Sequence, residues 1–497
     1  MNHLRIFKLI SIALLCSVSI SLKSQNSEKA SQTTKPIEMK NLPKKARAFF
    51  KDMVFIPDGS YTLPTNPAVL ALPEDTSLII DNFAKRLSVN GFYISNHEVT
   101  NAEYREFVNW VKKREILKVL APFFPDLYLD KQQKIRTDVN PQLNDSVIEI
   151  LRLSGLYLPS YERYYQVPEI DIRKLTYHIV VNGEEMQIPI YPDTTVWVND
   201  FRYAFNEPIR DHYAWHPAYD KYPVVGVNYY QAMAYCSWLS DRLMEEILVA
   251  NKVLSGKSWD FNAVKFFTDP KNQIFKEKFW IRGFRLPTEA EWIYAAKGVE
   301  EFQGNYSVCK MTNYANFGAE KSRHQLIINQ YVDDGGFHTL IVKHYKPNSF
   351  GLYDMWGNVA EWTADDYYEE LAFKNYDNII LPPQLTSGVS SNWRQNKDTL
   401  IVFNKDYPAD SIVLAYQKAI MERYLKNGNE YYPELEKILN NFQKKLIHNS
   451  MVARLHGSAK VVKGGSWHSS MIYLQPYTKT ICSPENSRST IGFRIVL

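Results

Sequence analysis

The sequence predicts a fold of the α+β class, with short strands, capped helices and long ordered loops. Three observations carry that expectation. Met53–Tyr61 (MVFIPDGSY) and Phe92–Ile94 are β-branched and aromatic runs, and the first leads into Pro, Asp and Gly as a strand entering a turn does. Thr100 stands three residues before Glu103, the capping-box spacing, and Tyr104, Phe107, Val108 and Val111 then recur at helical intervals. Aromatic residues make up 14% of the chain, and such amphipathic rings suit irregular cores and protein interfaces.

From the N-terminus, Arg5 and Lys8 precede the apolar stretch Leu9–Leu22, the layout of a secretory signal, so residues 1–25 are expected to be a signal peptide and 26–49 a leader. Cys16 raises lipidation, but Leu15 before it is a poor fit to the small residue that a lipoprotein signal needs. No later segment reaches 18 consecutive apolar residues, which excludes a membrane-spanning helix in the mature chain. Lys112–Tyr222 lacks sustained periodicity and reads as an insertion that adds strands at Thr176–Val181 and Val196–Tyr203. Asn228–Arg242 sets Tyr230, Ala234, Trp238 and Leu239 on one helical stripe, and Thr288–Ala296 begins a second capped helix after Phe284-Arg285-Leu286-Pro287. A second insertion, Asp365–Gly457, carries expected helices at Asp410–Leu425 and Pro433–Leu446.

Composition removes several function classes. With 58 basic and 54 acidic residues the net charge is +4, and no block of five like charges occurs, so the footprint of a nucleic-acid binder is missing. Beyond the signal, Cys236, Cys309 and Cys482 are too few and too scattered for a disulfide framework, and no CxxC or HExxH spacing points to zinc. There is no GxSxG elbow, P-loop or GxGxxG turn. His212 and His216 stand four apart, but Pro217 and the aromatic residues around them favour a loop over a metal-binding helix. A length of 497 residues suggests about three domains of ~150 residues if nothing else intervenes.

Six segments in series do intervene: YISNHEVTNAEY (93–104), YPVVGVNYYQAMAYCSWLS (222–240), FRLPTEAEWIYAA (284–296), FGLYDMWGNVAEWT (350–363), VKGGSW (462–467) and IGFRIV (491–496). Together they resemble the sulfatase-modifying-factor, or formylglycine-generating-enzyme, domain. The resemblance covers about residues 50–497 less the two insertions. It implies one irregular α+β domain related to the C-type-lectin-like fold. Trp238, Trp292, Trp362 and Trp467 are expected to be buried, because each sits inside a motif bounded by turn or helix-start signals. In the residues themselves, Gly357 permits a tight loop and Trp362 can anchor it, leaving Glu361 and nearby carbonyls able to face a hard cation. Glu289 or Glu291 suits the positive start of its helix after Pro287. The resemblance implies calcium at Asp354 and Glu361 with the Gly357 and Val359 carbonyls. It implies a second calcium at Asn316, the Phe317 carbonyl and an acidic residue of Asp333-Asp334, taken as Asp334.

Catalysis is where the chain departs from that family. Its oxidases hold copper with two thiolates after the GGS motif, because soft ligands suit Cu(I). Here those positions are Ser469 and Leu474, and Cys482 lies eight residues beyond the second. No copper, no catalytic residue and no formylglycine-generating activity are therefore expected; the alternatives are an active copper oxidase or a glycan-binding module of lectin-like fold. PDTTVWVNDF (192–201), Asn206-Glu207-Pro208 and WHPAYD (215–220) also resemble an insertion of the GldK/PorK and GldJ gliding-motility and type IX secretion lipoproteins. That closer resemblance implies a noncatalytic subunit of a periplasmic ring at the inner face of the outer membrane, self-assembled and partnered by a GldN/PorN-like protein. The aromatic, charge-mixed composition of both insertions is that of interface surface.

Overall fold

The computed structural model describes residues 37–63, 78–80, 85–163, 167–181, 184–200, 209, 212–296, 314–318, 320–321, 327–329, 334–367, 459–475 and 478–497. The expected signal, Cys16, Cys309, Asp333, Phe201, Asn206–Pro208 and the two helices expected in the second insertion lie outside them. In chain order the elements are β1 (Met53–Ile56), β2 (Gly59–Leu63), β3 (Leu78–Ile80), β4 (Lys85–Val89), β5 (Phe92–Ser95), α1 (Asn101–Leu120), α2 (Asp145–Leu153), β6 (Thr176–Val181), β7 (Glu184–Pro189), α3 (Val196–Asp200), α4 (Tyr229–Ala250), α5 (Ala263–Thr268), α6 (Gln273–Phe279), α7 (Glu289–Ala296), β8 (Glu320–Lys321), β9 (Ile327–Asn329), β10 (Ala360–Asp366), β11 (Lys460–Lys463), β12 (Thr478–Cys482) and β13 (Ile491–Gly492), joined by turns and short helical turns.

The helix starts are local chemistry. Thr100 and Glu103 close a capping box on α1, Asn228 and Gln231 close one on α4, and Thr288 with Glu291 makes the same reciprocal bonds at α7. Beyond its predicted end at Arg242, α4 continues to Ala250, because Leu243, Met244, Ile247 and Leu248 prolong its buried face. α1 likewise runs to Leu120, so the first insertion begins inside a helix. Its C-terminal turns carry Ile116, Leu117 and Leu120 into a satellite core with Tyr128, Val147 and Leu151 of the insertion and Trp259.

One sheet has the order β13-β10-β11-β12-β3, with β10 and β13 parallel and the other pairs antiparallel. β1 pairs with β5 in antiparallel register from Met53↔Ser95 to Ile56↔Phe92. The end of the chain closes this region: Leu497 N donates to Tyr93 O at 2.9 Å, and Val496 N donates to Arg285 O at 2.8 Å. The main apolar cluster joins residues from Leu42 to Leu497 across residue 220, as a shared core requires. Trp238, Trp292, Trp362 and Trp467 are 8, 2, 0 and 3% exposed, so all four motif tryptophans are core residues. Burial of each contributes roughly 4–6 kcal/mol as an upper estimate.

Besides the helical turns up to Leu120 and the helix α2, the insertion differs from its sequence reading at Val196. Thr176–Val181 is a strand, paired with β7, but Val196–Asp200, the described part of the expected Val196–Tyr203 strand, is the helix α3. Asp193 accepts hydrogen bonds from Thr195 N and Oγ1, and Val198 N and Asn199 N both donate to Thr195 O, which nucleates a turn. Val196 and Trp197 are consecutive and both buried, a demand that a helical turn meets and a half-exposed strand does not. No helix among the described residues is long and apolar enough to cross a membrane.

Candidate functional site

The GNVAEW loop is built from backbone that few residues tolerate. Asp354, Gly357 and Asn358 have φ of +52°, +73° and +58°. A Cβ on Gly357 would stand 2.0 Å from Asn316 O, so the close approach of these two strands of chain requires glycine. Asn358 N donates to Asn316 O at 2.8 Å, locking the two loops together. β10 then turns Glu361 and Trp362 inward, and Trp362 Nε1 donates to Val227 O at 3.1 Å.

Glu361 meets Arg494. The guanidinium, fully buried, donates to both carboxylate oxygens at 2.6–2.8 Å and to the carbonyls of Ser95, Tyr353 and Asp354. Trp292 Nε1 donates to the same carboxylate at 2.7 Å. Glu98, also fully buried, accepts from Asn358 Nδ2 at 2.7 Å and from Val359 N at 3.1 Å, and Asp354 accepts from Lys343 N at 2.6 Å. Three carboxylates thus surround one guanidinium. Burial, reinforced by the charges of Asp354 and Glu361, pushes the Glu98 carboxyl well above the usual range. Burial also pushes Asp354 up to about 6, against the opposing pull of Lys343 N and Arg494. Asp354, Gly357, Val359 and Glu361 are therefore brought together, but as an ion-paired knot. With the Glu361 charge already compensated by the Arg494 guanidinium on both oxygens, this arrangement does not fit the calcium shell expected of them.

The neighbouring loop fits a cation better. Asn316 and Phe317 are fully buried and Asp334 nearly so; the Asp334 carboxylate accepts from Phe317 N at 2.7 Å and Gly336 N at 3.1 Å. Asn316 Nδ2 donates to His338 O at 2.8 Å, whereas its Oδ1 is buried without a hydrogen-bond partner. An orphaned acceptor of that kind costs about 1–3 kcal/mol, and a hard cation is one way to satisfy it. Among the described residues no group of three or more His, Cys, Asp or Glu side chains is arranged as a metal site, so such a shell would draw on one carboxylate, one amide and carbonyls.

The two positions at which the thiolate pair is missing, Ser469 and Leu474, follow the KGGSW loop. Ser469 Oγ lies 2.9 Å from Ser466 Oγ and accepts from Ser466 N at 3.0 Å, while its carbonyl accepts from Gly318 N at 2.8 Å. Leu474, 1% exposed, packs in an apolar cluster with Trp292, Met355 and Tyr473. Cys236 in α4 and Cys482 at the end of β12 are both buried, and burial pushes the Cys482 thiol up to about 11 and that of Cys236 higher still. Over this loop lies the PDTTVWVND segment: Trp197 stacks on Trp467 at 5.8 Å, and Asp200 accepts from Ser489 N and Oγ, both at 2.8 Å. The His212 and His216 rings are 6.1 Å apart, and His216 Nδ1 accepts from Ala218 N, which makes it a turn cap.

The Arg494 partnership and the part played by Glu98 are not in the sequence reading. The available signal was an arginine inside the apolar run Ile491–Val496, a position that a charge occupies only when paired.

The sulfatase-modifying factor enzyme 1-like domain profile matches residues 38–497. Over 317 residues the chain is 24% identical to the formylglycine-generating enzyme of Mus musculus, a match covering 63% of this chain and 58% of that protein. It is 39% identical over 95 residues to the formylglycine-generating enzyme of Mycobacterium tuberculosis, covering 17% of this chain and 28% of the relative. A stretch of 157 residues is 32% identical to serine/threonine-protein kinase pkn1 of Chlamydia pneumoniae, 31% of this chain and 16% of that one. The chain thus spans less than two thirds of the length of these relatives. PvdO from Pseudomonas aeruginosa aligns with a TM-score of 0.35 at 14% identity, covering 89% of this chain and 93% of PvdO. With the profile running from residue 38 to the last residue, the chain belongs to the sulfatase-modifying factor enzyme 1-like family.

Proposed function

We propose that the protein is a noncatalytic, exported scaffold subunit of the type IX secretion and gliding apparatus, of the GldK/PorK type. In this reading it self-assembles at the periplasmic face of the outer membrane and binds a GldN/PorN-like partner. The observation that carries the noncatalytic part is the KGGSW loop, where Leu474 is core and Ser469 is tied to Ser466 in place of a thiolate pair. The stacking of Trp197 on Trp467 of the same loop supports it, since Trp197 belongs to the segment that resembles those secretion proteins. Large exposed side chains in the first insertion, among them Leu153 at 72% and Tyr161 at 83% exposure, are consistent with a contact surface.

The test is an affinity pull-down from the native cell envelope with the intact protein and with a form whose 365–457 insertion is shortened. Recovery of other secretion-ring components only with the intact protein supports the reading. An intact protein that stays monomeric and captures none of them overturns it. We also propose a structural calcium at Asn316, the Phe317 carbonyl and Asp334, on the strength of the orphaned Asn316 Oδ1. A bound ion would stabilise the native state by mass action.

A further inference from the structure

α1 and α4 lie side by side and run in the same direction. Tyr104 stacks on Tyr235 at 5.7 Å, Phe107 meets Trp238 at 5.2 Å one turn later, and the Arg242 guanidinium lies 4.6 Å over the Trp110 ring one turn after that. Together with Ala48–Met53 and Trp259, their outer edges enclose a cleft of about 590 Å³. That volume is within the range of small-ligand pockets.

The cleft is ordered along its length. Asp52, Glu103 and Glu106 line the end near the start of α1, and Trp110, Leu239 and Trp259 line the middle and far walls. The basic groups are already engaged: Arg242 pairs with Glu245 at 2.8 Å, Lys257 with Glu246, and Lys113 lies over the Trp259 ring at 5.6 Å. On the acidic side, Asp52 pairs with Lys343 at 3.0 Å, and Glu103 is committed to its helix cap and to His97. Glu106 is different. It is exposed to the cleft and makes no hydrogen bond or ion pair among the described residues. Partial burial and the neighbouring Glu103 charge both disfavour its ionised form, and a cation placed there would favour that form by direct attraction.

We propose that this cleft binds a short protein segment, with a basic side chain against Glu106 and an apolar side chain on the Trp110 and Leu239 wall. It deepens the scaffold reading and rests on it only for the occupant being a protein. The probe is acetyl-Arg-Ala-Leu-amide, titrated into the purified full chain and followed by tryptophan fluorescence. Saturable binding is expected, at least tenfold weaker with citrulline in place of arginine, weakening with salt, and lost in Glu106→Lys with its melting temperature unchanged. Glu106→Gln is the second variant and should weaken binding without reversing the charge. No saturable binding, equal binding of the citrulline peptide, or wild-type affinity in Glu106→Lys would overturn the proposal. Peptide failure beside a successful pull-down removes the cleft assignment alone; peptide binding beside a failed pull-down removes the scaffold reading alone.

Discussion

Replacing Arg494 by methionine should be among the most damaging single changes in this chain. The guanidinium is wholly buried and is the cation that faces Glu361, Glu98 and Asp354 together. Removing one partner of a buried ion pair costs about 3–5 kcal/mol, because the remaining charge is left uncompensated. The carbonyls of Ser95, Tyr353 and Asp354 lose a charged donor as well. Two of these bonds are long, at 3.3 Å, so the bonds contribute about 1 kcal/mol each rather than the ~1.5–3 kcal/mol of a well-formed charged bond, which brings the total to roughly 6–8 kcal/mol. That is comparable to the whole stability of a typical domain, about 5–15 kcal/mol. Arg494→Met should therefore yield little folded protein. Glu361→Gln keeps the shape and one acceptor and should cost less, about 2–4 kcal/mol. The double variant Arg494→Met/Glu361→Leu should recover part of the loss, since an apolar pair can replace a buried ionic one. The yield of folded protein reads Arg494→Met, and urea denaturation followed by tryptophan fluorescence measures every variant that folds; Trp292, which donates to Glu361, reports from the site itself. A destabilisation of Arg494→Met below about 1 kcal/mol would refute the claim that this guanidinium compensates the cluster.

Four further outcomes are expected. Trp197→Ala should lower stability by about 3–5 kcal/mol in urea denaturation, since the ring is 1% exposed and stacked on Trp467; a loss under about 1 kcal/mol would mean the insertion does not depend on that contact. Asp241, pushed up to about 6 by burial against the donors Tyr177 Oη and Ala263 N, binds its proton more tightly folded than unfolded. Its contribution is full below about pH 4 and is lost as pH rises to the folded value, on the order of 2–3 kcal/mol, and Asp241→Asn should remove that slope from the pH dependence of the urea midpoint. Purified protein given Cu(I) and a cysteine-containing sulfatase peptide should form no aldehyde detectable by mass spectrometry, and turnover would defeat the noncatalytic reading. Added Ca²⁺ should raise the melting temperature of the wild type and not of Asp334→Asn; an equal response of both would remove Asp334 from the site.

The parts legible in the sequence are those whose physics is local. The bonds of the Thr100–Glu103 capping box lie within four residues, so the spacing alone identifies the start of α1. Gly357 could be read as a loop residue from its neighbours, although the reason that only glycine fits is Asn316 O, which lies 2.0 Å from where a Cβ would be. The motif tryptophans could be assigned to the core because each lies among turn or helix-start signals. Tertiary structure decided the rest. Val196–Asp200 suits either period over so short a span, and its helix follows from Asp193 holding Thr195 and from Trp197 reaching Trp467. The role of Glu361 depends on a partner 133 residues away, and the electrostatics of that centre on Glu98, farther off still. A carboxylate in sequence carries the same charge whether it awaits a cation from solvent or an arginine just past the last strand; which of the two compensates it is set by burial and proximity, and those exist only once the chain has folded.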